Sequence, residues 1–492
     1  MSLANTHNGL PVTVTSPEAA GISSDSVLRF LKALDAQAYR LHSFLLVRRG
    51  RLCFAGASRP YTLQTPHRVY SAGKSILALS VCRAMQEGKL KPDDRVADYF
   101  RDLLSGDARF DKLTVSDLLT MRSGQTDDPF LAILKDLDAD LTRLFFTAPP
   151  VDEPGKVFRY NNTIPTVICA LVERAVGMPF AAYQNDRIFA PLNAQVFAPV
   201  NPQGQYNPVV MAMSAETLMK FALLFLYKGI WNGSRVIDAG WMNECVREHT
   251  RTGMQGNAAG YGWQIWRNAF GGYRLDGGWG QYAVILPEEE LAAVIMSDMP
   301  VSAFALEAFE RELMPGLSKE TLPENPAALA ELGRYGEQLT LAPQGCKAHS
   351  AMEPAIGARR YCFSDPAMEL RFAFENDALK IMLTEEGRAQ EFHAGLNGGW
   401  LENKRHLLVT PERTIDNGVY CMDRDACFCT AVWRDEQTLD MLLKSLGAQG
   451  EYLYRFSFSP EGLTLSYPPH PCRGGPSLHD AVTLTGKGAD PR

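Results

Sequence analysis

No run of 18 or more apolar residues interrupts the chain, so a membrane-spanning helix is not expected. An excess of positive charge is missing too. The net charge of −7 leaves no electropositive footprint and argues against a nucleic-acid partner. The opening residues, MSLANTHNGLPVTV, lack the basic flank and apolar stretch of a secretory leader. Paired cysteine spacing is absent as well. Ten cysteines are scattered, and Cys82 and Cys169 fall within apolar helical segments, which suits buried free thiols in a reducing compartment. A cytoplasmic protein is the expectation, or a periplasmic or extracellular one where a leader has been removed. Cys421, Cys427 and Cys429 come nearest to a metal cluster. Their spacing does not match the paired two-residue spacing of zinc sites, and Cys427 and Cys429 would share one strand face. Neither a metal nor a cofactor is expected.

Histidine is scarce where a hydrolase would need it. Only His7, His42, His67 and His249 precede residue 317, and no G-x-S-x-G elbow occurs. A Ser-His-Asp triad would have to recruit His249, in VREHT, which reads as a surface helix end. His67, four residues before Ser71, reads as a tether for a strand entering a helix.

What is present is ordinary globular composition, 46% hydrophobic and 21% charged, in a chain of 492 residues that is too long for one core. Two domains follow: residues 1–316, a linker at 317–332, and 333–492. In the first, SDSVLRFLKALDAQA (24–38) has helical periodicity with Ser and Asp at its start. HSFLLVRRGRLCFAGAS reads as a hairpin turning at Arg49-Gly50. Residues 73–87 are apolar almost all round, so this helix should be buried on every side, and Gly88 ends it. Helical segments continue to about residue 200, including VSDLLTMRSG and TVICALVERAVG, with another helix from Ser214. Strands return as YGWQIW, GGYRL, QYAVILP and ELAAVIMSD, before a closing helix at 303–314. The order implies an antiparallel sheet built from the first and last parts, flanked by helices, with an all-helical lobe inserted. Beyond the polar, Pro-containing linker with its short helix, MELRFAF, ALKIMLT, CFCTAVW, YLYRFSFS and GLTLSY alternate in character, with turns at 375–377 and 460–462. An antiparallel barrel is expected there.

Ser71-Ala72-Gly73-Lys74 forms the chain's one S-x-x-K, at the mouth of the buried helix. Residues three apart share a helix face, so the Lys74 amine can reach the Ser71 hydroxyl. The helix N-terminus stabilises negative charge at the serine. Burial strips water from Lys74 and lowers its pKa toward that of a base. Gly73-Lys74-Ser75 also ends like a phosphate loop, but Arg68 stands where that loop needs glycine. Further on, Tyr160-Asn161-Asn162 follows Glu153-Pro154-Gly155. A tyrosine beside a cationic lysine should ionise more readily and relay a proton. Asn162 could bond both the lysine and a substrate amide carbonyl.

With these segments in order, residues 15–312 resemble the class C β-lactamases and related penicillin-binding esterases. HRVYSAGKS with LALSVCRAMQEGKLKPDDRVADYF resembles the family's active-serine helix. LTVSDLLTMRSG resembles the segment after it, and EPGKVFRYNNTIPTVICALVERAVGMPF its Y-x-N element. YGWQIW and GGWGQYAVILPEEELAAVIMSD resemble its last strands. The resemblance implies a serine hydrolase that cleaves a small-molecule ester or amide through an acyl-enzyme on Ser71. It implies proton transfer by Lys74 and Tyr160, with Asn162 in the same site. The tail resembles the lipocalin-like barrels appended to some members, which could wall the cleft or mediate a homodimer.

One motif departs from the family. Where Lys or His, a small residue and Gly are expected, the chain reads Leu275-Asp276-Gly277-Gly278. The amides of Ser71 and Gly278 can still hold an oxyanion, worth roughly 2.7–4 kcal/mol per donor. The missing cation argues against efficient β-lactam hydrolysis. Asp276 would bias the pocket against anions and toward amines or neutral acyl groups, unless it only caps a turn. The other readings are a penicillin-recognising D-amino peptidase or β-lactamase, and a non-catalytic binding protein on the same fold.

Overall fold

The computed structural model describes residues 9–104, 108–126, 128–130, 139–198, 200, 204–299, 301–343, 347–385, 387–403, 427–446, 451–466 and 483–489. His7 and Cys421 lie outside them. The hairpin forms as Leu41–Arg48 and Arg51–Ala57, with both Arg49 (φ 51°) and Gly50 (φ 69°) left-handed, as a tight two-residue turn requires. Leu291–Ser297 pairs antiparallel with the other side of Leu41–Arg48. Gln281–Leu286, Tyr273–Gly277, Trp266–Arg267, Gly260–Tyr261 and Thr250–Arg251 continue the sheet from there, and Thr13–Val14 adds one parallel pairing at the far edge. The first and last parts of the segment thus meet in one sheet.

The alternation of a strand explains why the central strands are buried throughout. Leu45 and Val47 point into one core, with the serine helix and the helical lobe. Phe44 and Leu46 point into the other, with Phe30 and Leu31 of helix Ser24–Ala36 and Phe309 behind the sheet. The serine helix, Ala72–Gln86, buries every residue except Arg83 and Gln86. Each of Ile76, Leu77, Leu79 and Val81 is removed from water, at about 1.5–3 kcal/mol apiece. Gly73 is required here, because a Cβ would stand 2.0 Å from the Pro208 carbonyl oxygen. Among the described residues no single helix is long and apolar enough to cross a membrane.

Two expectations need correction. YGWQIW is not one strand: Tyr261 pairs with Trp266 across a tight reversal. Gln264 (φ 55°) is drawn to the helical lobe, where its backbone N–H and side-chain amide donate to the Leu119 carbonyl. The segment 317–332, read as a polar linker with a short helix, does not give way to a barrel at 333. Ser318 and Leu322 donate to Gly21 and Glu18 carbonyls, and a helix, Pro326–Gln338, runs across residue 333. Asn325 caps it, and its apolar face docks through Leu332 onto the core around Phe30.

The tail closes into a barrel, in keeping with its alternating sequence. From Arg388–Gly395 the order runs Ala378–Glu385, Ala367–Glu375, Arg360–Ser364, Thr483–Ala489, Gly462–Ser466, Tyr452–Phe458, Thr438–Lys444 and Cys427–Trp433. A single parallel bridge, Gly395 to Thr430, closes the ring, and Leu401–Asn403 pairs beside Cys427–Trp433. Alternate residues fill the interior, including Trp433, Tyr454, Phe456 and Leu443. Cys427 and Cys429 share that inner face, as the spacing implied.

Candidate active site

Two backbone segments meet at the site. His67–Arg68 pairs with Ala212–Met213, Val69 N–H donates to Met211, and Tyr70 then turns the chain so that Ser71 caps the buried helix. Opposite runs Tyr273–Gly277, on which Arg274, Asp276 and the following Gly278 line the pocket while Leu275 enters the core. Gly277 permits their contact, because a Cβ there would lie 2.1 Å from the Val69 carbonyl oxygen. Tyr70 (φ 47°) and Trp279 (φ 65°), next to Ser71 and Gly278, both occupy the left-handed region. Each such residue costs about 1–3 kcal/mol and persists because its surroundings fix it.

Lys74 is the hub. Its Nζ lies 2.8 Å from Ser71 Oγ, 2.8 Å from Tyr160 OH and 2.7 Å from Asn162 Oδ1, and the residue is only 1% exposed. Burial lowers its pKa from 10.5 to about 7, against the opposing charges of Asp128 and Asp276. A neutral amine has two N–H groups and one lone pair, which matches three partners when the Ser71 hydroxyl donates to it. Tyr160 behaves opposite to expectation. Burial pushes its phenol up, although contact with Ser71 partly offsets this, so it stays protonated. Desolvation of the phenolate is the largest cause, and the neighbouring lysine, with its pKa near 7, is only about half charged at neutral pH.

Asp128 was not legible from the sequence. Its Oδ2 accepts from the backbone N–H (2.8 Å) and side-chain amide (3.1 Å) of Asn162, and its Oδ1 accepts from Thr163 N–H and Oγ1 (3.2 and 2.8 Å). It thereby fixes the Asn162 amide so that its oxygen faces Lys74. Within TDDPF nothing distinguishes it. A second missed residue is Trp266, which stacks on Tyr160 with centroids 5.7 Å apart.

On the wall opposite Ser71, Asp276 does not take the turn-capping role that was the alternative reading. It lies within a strand, not at a turn, and its Oδ2 accepts from Arg274 Nε (2.8 Å) and Nη2 (2.7 Å). Arg274 is buried, with Nη1 donating to Asn257 O and Asn268 Oδ1 and its guanidinium 5.8 Å from the Trp266 ring centroid. The cation absent at 275 is present one residue earlier, already neutralised. Burial raises the Asp276 pKa, against the pull of Arg274. Met254, Ala258 and Trp266 complete a cavity of about 290 Å³. His249 has other partners: it stacks on Trp263 (5.3 Å), bonds to Glu244 O, and is more buried than a surface position implies. His67 bonds to His42 and to Arg68 O, beside the strand it was expected to tether.

A serine and a lysine one turn apart on a buried helix, with a tyrosine and asparagine from a second segment, define a serine–lysine site on a sheet-and-helical-lobe fold. The chain belongs to the β-lactamase family, whose model, described as Beta-lactamase, matches residues 29–312. It is 31% identical over 244 residues to Esterase EstB of Burkholderia gladioli, covering 42% of this chain and 62% of that one. It is 24% identical over 214 residues to an Escherichia coli (strain K12) protein provisionally named as a D-alanyl-D-alanine carboxypeptidase, covering 37% of this chain and 49% of that one. The chain therefore spans less than two thirds of either relative. A solved structure titled "EstCE1, a hydrolase with promiscuous acyltransferase activity" shares the fold at TM-score 0.50 and 16% identity, covering 58% of this chain and 98% of that one.

Proposed function

We propose that the protein is a serine hydrolase that cleaves a neutral small-molecule ester or amide through an acyl-enzyme on Ser71. The observation carrying this is the buried Lys74 amine, 2.8 Å from the Ser71 hydroxyl and with a pKa lowered to about 7. Neutral Lys74 takes the serine proton as Oγ bonds to the substrate carbonyl carbon. Backbone amides of Ser71 and Gly278 receive the oxyanion. Protonated Tyr160 hands its proton to the departing oxygen or nitrogen and is reprotonated from Lys74, so the bond to the leaving group breaks without releasing a bare anion. Water then repeats the sequence in reverse and frees Ser71.

Esters and amides without a carboxylate are favoured because the Arg274 guanidinium is engaged by Asp276. A carboxylate-bearing β-lactam would meet a neutral ion pair rather than an open cation. The likeness to an esterase supports the same choice. A fluorophosphonate probe followed by peptide mapping should label Ser71, and Ser71→Ala should lower hydrolysis of p-nitrophenyl esters by roughly 10⁴-fold or more. Labelling elsewhere, or activity surviving in that variant, would remove the assignment.

A further inference from the structure

The barrel sends charge into the body that carries Ser71. Along Thr438–Lys444, Leu439, Met441 and Leu443 fill the barrel interior, so Leu442 and Lys444 face outward. Both are nevertheless buried, Lys444 completely. Its Nζ donates to Asp298 Oδ2 at 2.5 Å, and Asp298 is 2% exposed. Glu451, in the segment that follows, accepts from Arg40 Nη2 through both carboxylate oxygens (2.6 and 2.7 Å), beside the same sheet end.

Asp298 follows the strand Leu291–Ser297, and its two neighbours hold the pocket loop. Ser297 Oγ is bonded at the carbonyls of Trp279 (2.7 Å) and Gly280 (3.2 Å), and Met299 N–H donates to Trp279 O (3.1 Å). Gln281 Nε2 donates to Ser297 O (2.6 Å) and to Gly278 O (3.3 Å). The side chain of 298 thus faces the barrel while 297 and 299 grip residues 278–281, including Trp279 in its left-handed conformation. A second polar path leads the same way. Tyr61 stacks on His42 (4.0 Å), His42 Nδ1 lies 2.6 Å from His67 Nε2, and His67 Nδ1–H donates to Arg68 O, three residues before Ser71. Burial, then the Lys444 charge, depresses His42, and burial brings His67 down to about 4, so both rings are neutral beside the ammonium.

We propose that the barrel is part of the active-site framework: Lys444, acting through Asp298, is a positioning residue that sets the Gly278–Gln281 loop against Ser71. This rests on the hydrolase reading above. It assigns the barrel a part in the acyl-transfer step. Loss of the pair should let the loop relax without unseating the substrate pocket, which lowers kcat more than it raises KM.

The test uses the full chain. Lys444→Met or Asp298→Asn alone breaks a buried ion pair by removing one partner, so both should lower the Tm. Lys444→Met combined with Asp298→Leu removes both charges, and replacing a buried pair with apolar residues commonly restores stability. The expected result for the double variant is a Tm near wild type, kcat at least tenfold lower, KM within threefold, and slowed fluorophosphonate labelling of Ser71. Wild-type kcat in a folded double variant would overturn the proposal. Should the double variant fail to fold, Ser297→Ala gives the second reading. That small change should lower kcat at least fivefold with KM and Tm nearly unchanged, and an unchanged kcat would also overturn it. Absence of Ser71 labelling in the wild type would instead strike the hydrolase reading, which keeps the two failures distinct.

Discussion

Arg274 and Asp276, two positions apart on one strand face, form an ion pair in which both guanidinium contacts converge on a single carboxylate oxygen, Oδ2. The pair supplies the pocket wall with polarity but no net charge. Asp276→Asn should free the guanidinium toward the cavity and raise kcat/KM for anionic esters about tenfold relative to neutral ones, equivalent to about 1.4 kcal/mol. A panel of p-nitrophenyl esters with neutral, cationic and anionic acyl groups measures this. The same order of preference in both proteins would show that the pair does not set selectivity.

The pH dependence follows from Lys74. Protonated amine cannot accept the serine proton, so kcat/KM should fall as pH drops through about 7. The stability linkage has a defined sign. The folded pKa lies below the unfolded value of 10.5, so the unfolded chain binds more protons between about 7 and 10.5, and stability should rise with pH across that window. Lys74→Met should abolish turnover and flatten this part of the Tm–pH curve. An equally steep curve in the variant would assign the effect to another group.

Asp128 opposes the lowering of the Lys74 pKa and holds the Asn162 amide. Asp128→Asn should therefore move the acidic limb of the pH–rate profile to lower pH while reducing kcat about 10- to 100-fold through misplaced Asn162. A limb that stays put, or moves upward, would contradict the electrostatic part of the argument.

Gly277 lies where the strand meets the turn before Ser71. Gly277→Ala would force a Cβ to 2.1 Å from the Val69 carbonyl, and backbone cannot yield as a side-chain tip can. A loss of several kcal/mol in stability is expected, together with loss of Ser71 labelling. Thermal unfolding and probe labelling of the purified variant check both, and a wild-type Tm would show that the segments can separate at little cost.

Much of the fold was legible because local spacing encodes it. The three-residue step from Ser71 to Lys74, the positive-φ turn at Arg49-Gly50, and the alternation of the barrel strands each express one element's periodicity. Pairing of the first and last strands followed from element order. Arg274 was within reach of the same reasoning, since alternation places it on the face of Asp276.

Long-range relationships carried no such signal. Asp128 lies 34 residues from Asn162, and Lys444 lies 146 from Asp298. Asp128, Lys444 and Asp298 each read alone as an ordinary surface charge. The Tyr160 shift was read with the wrong sign, because desolvation depends on what closes over a side chain. By itself, then, the sequence pointed to the candidate serine, lysine, tyrosine and asparagine and determined the local element that presents the first two. Tertiary structure decided which charges neutralise one another and which groups lose water, because both depend on the faces that meet when distant elements pack.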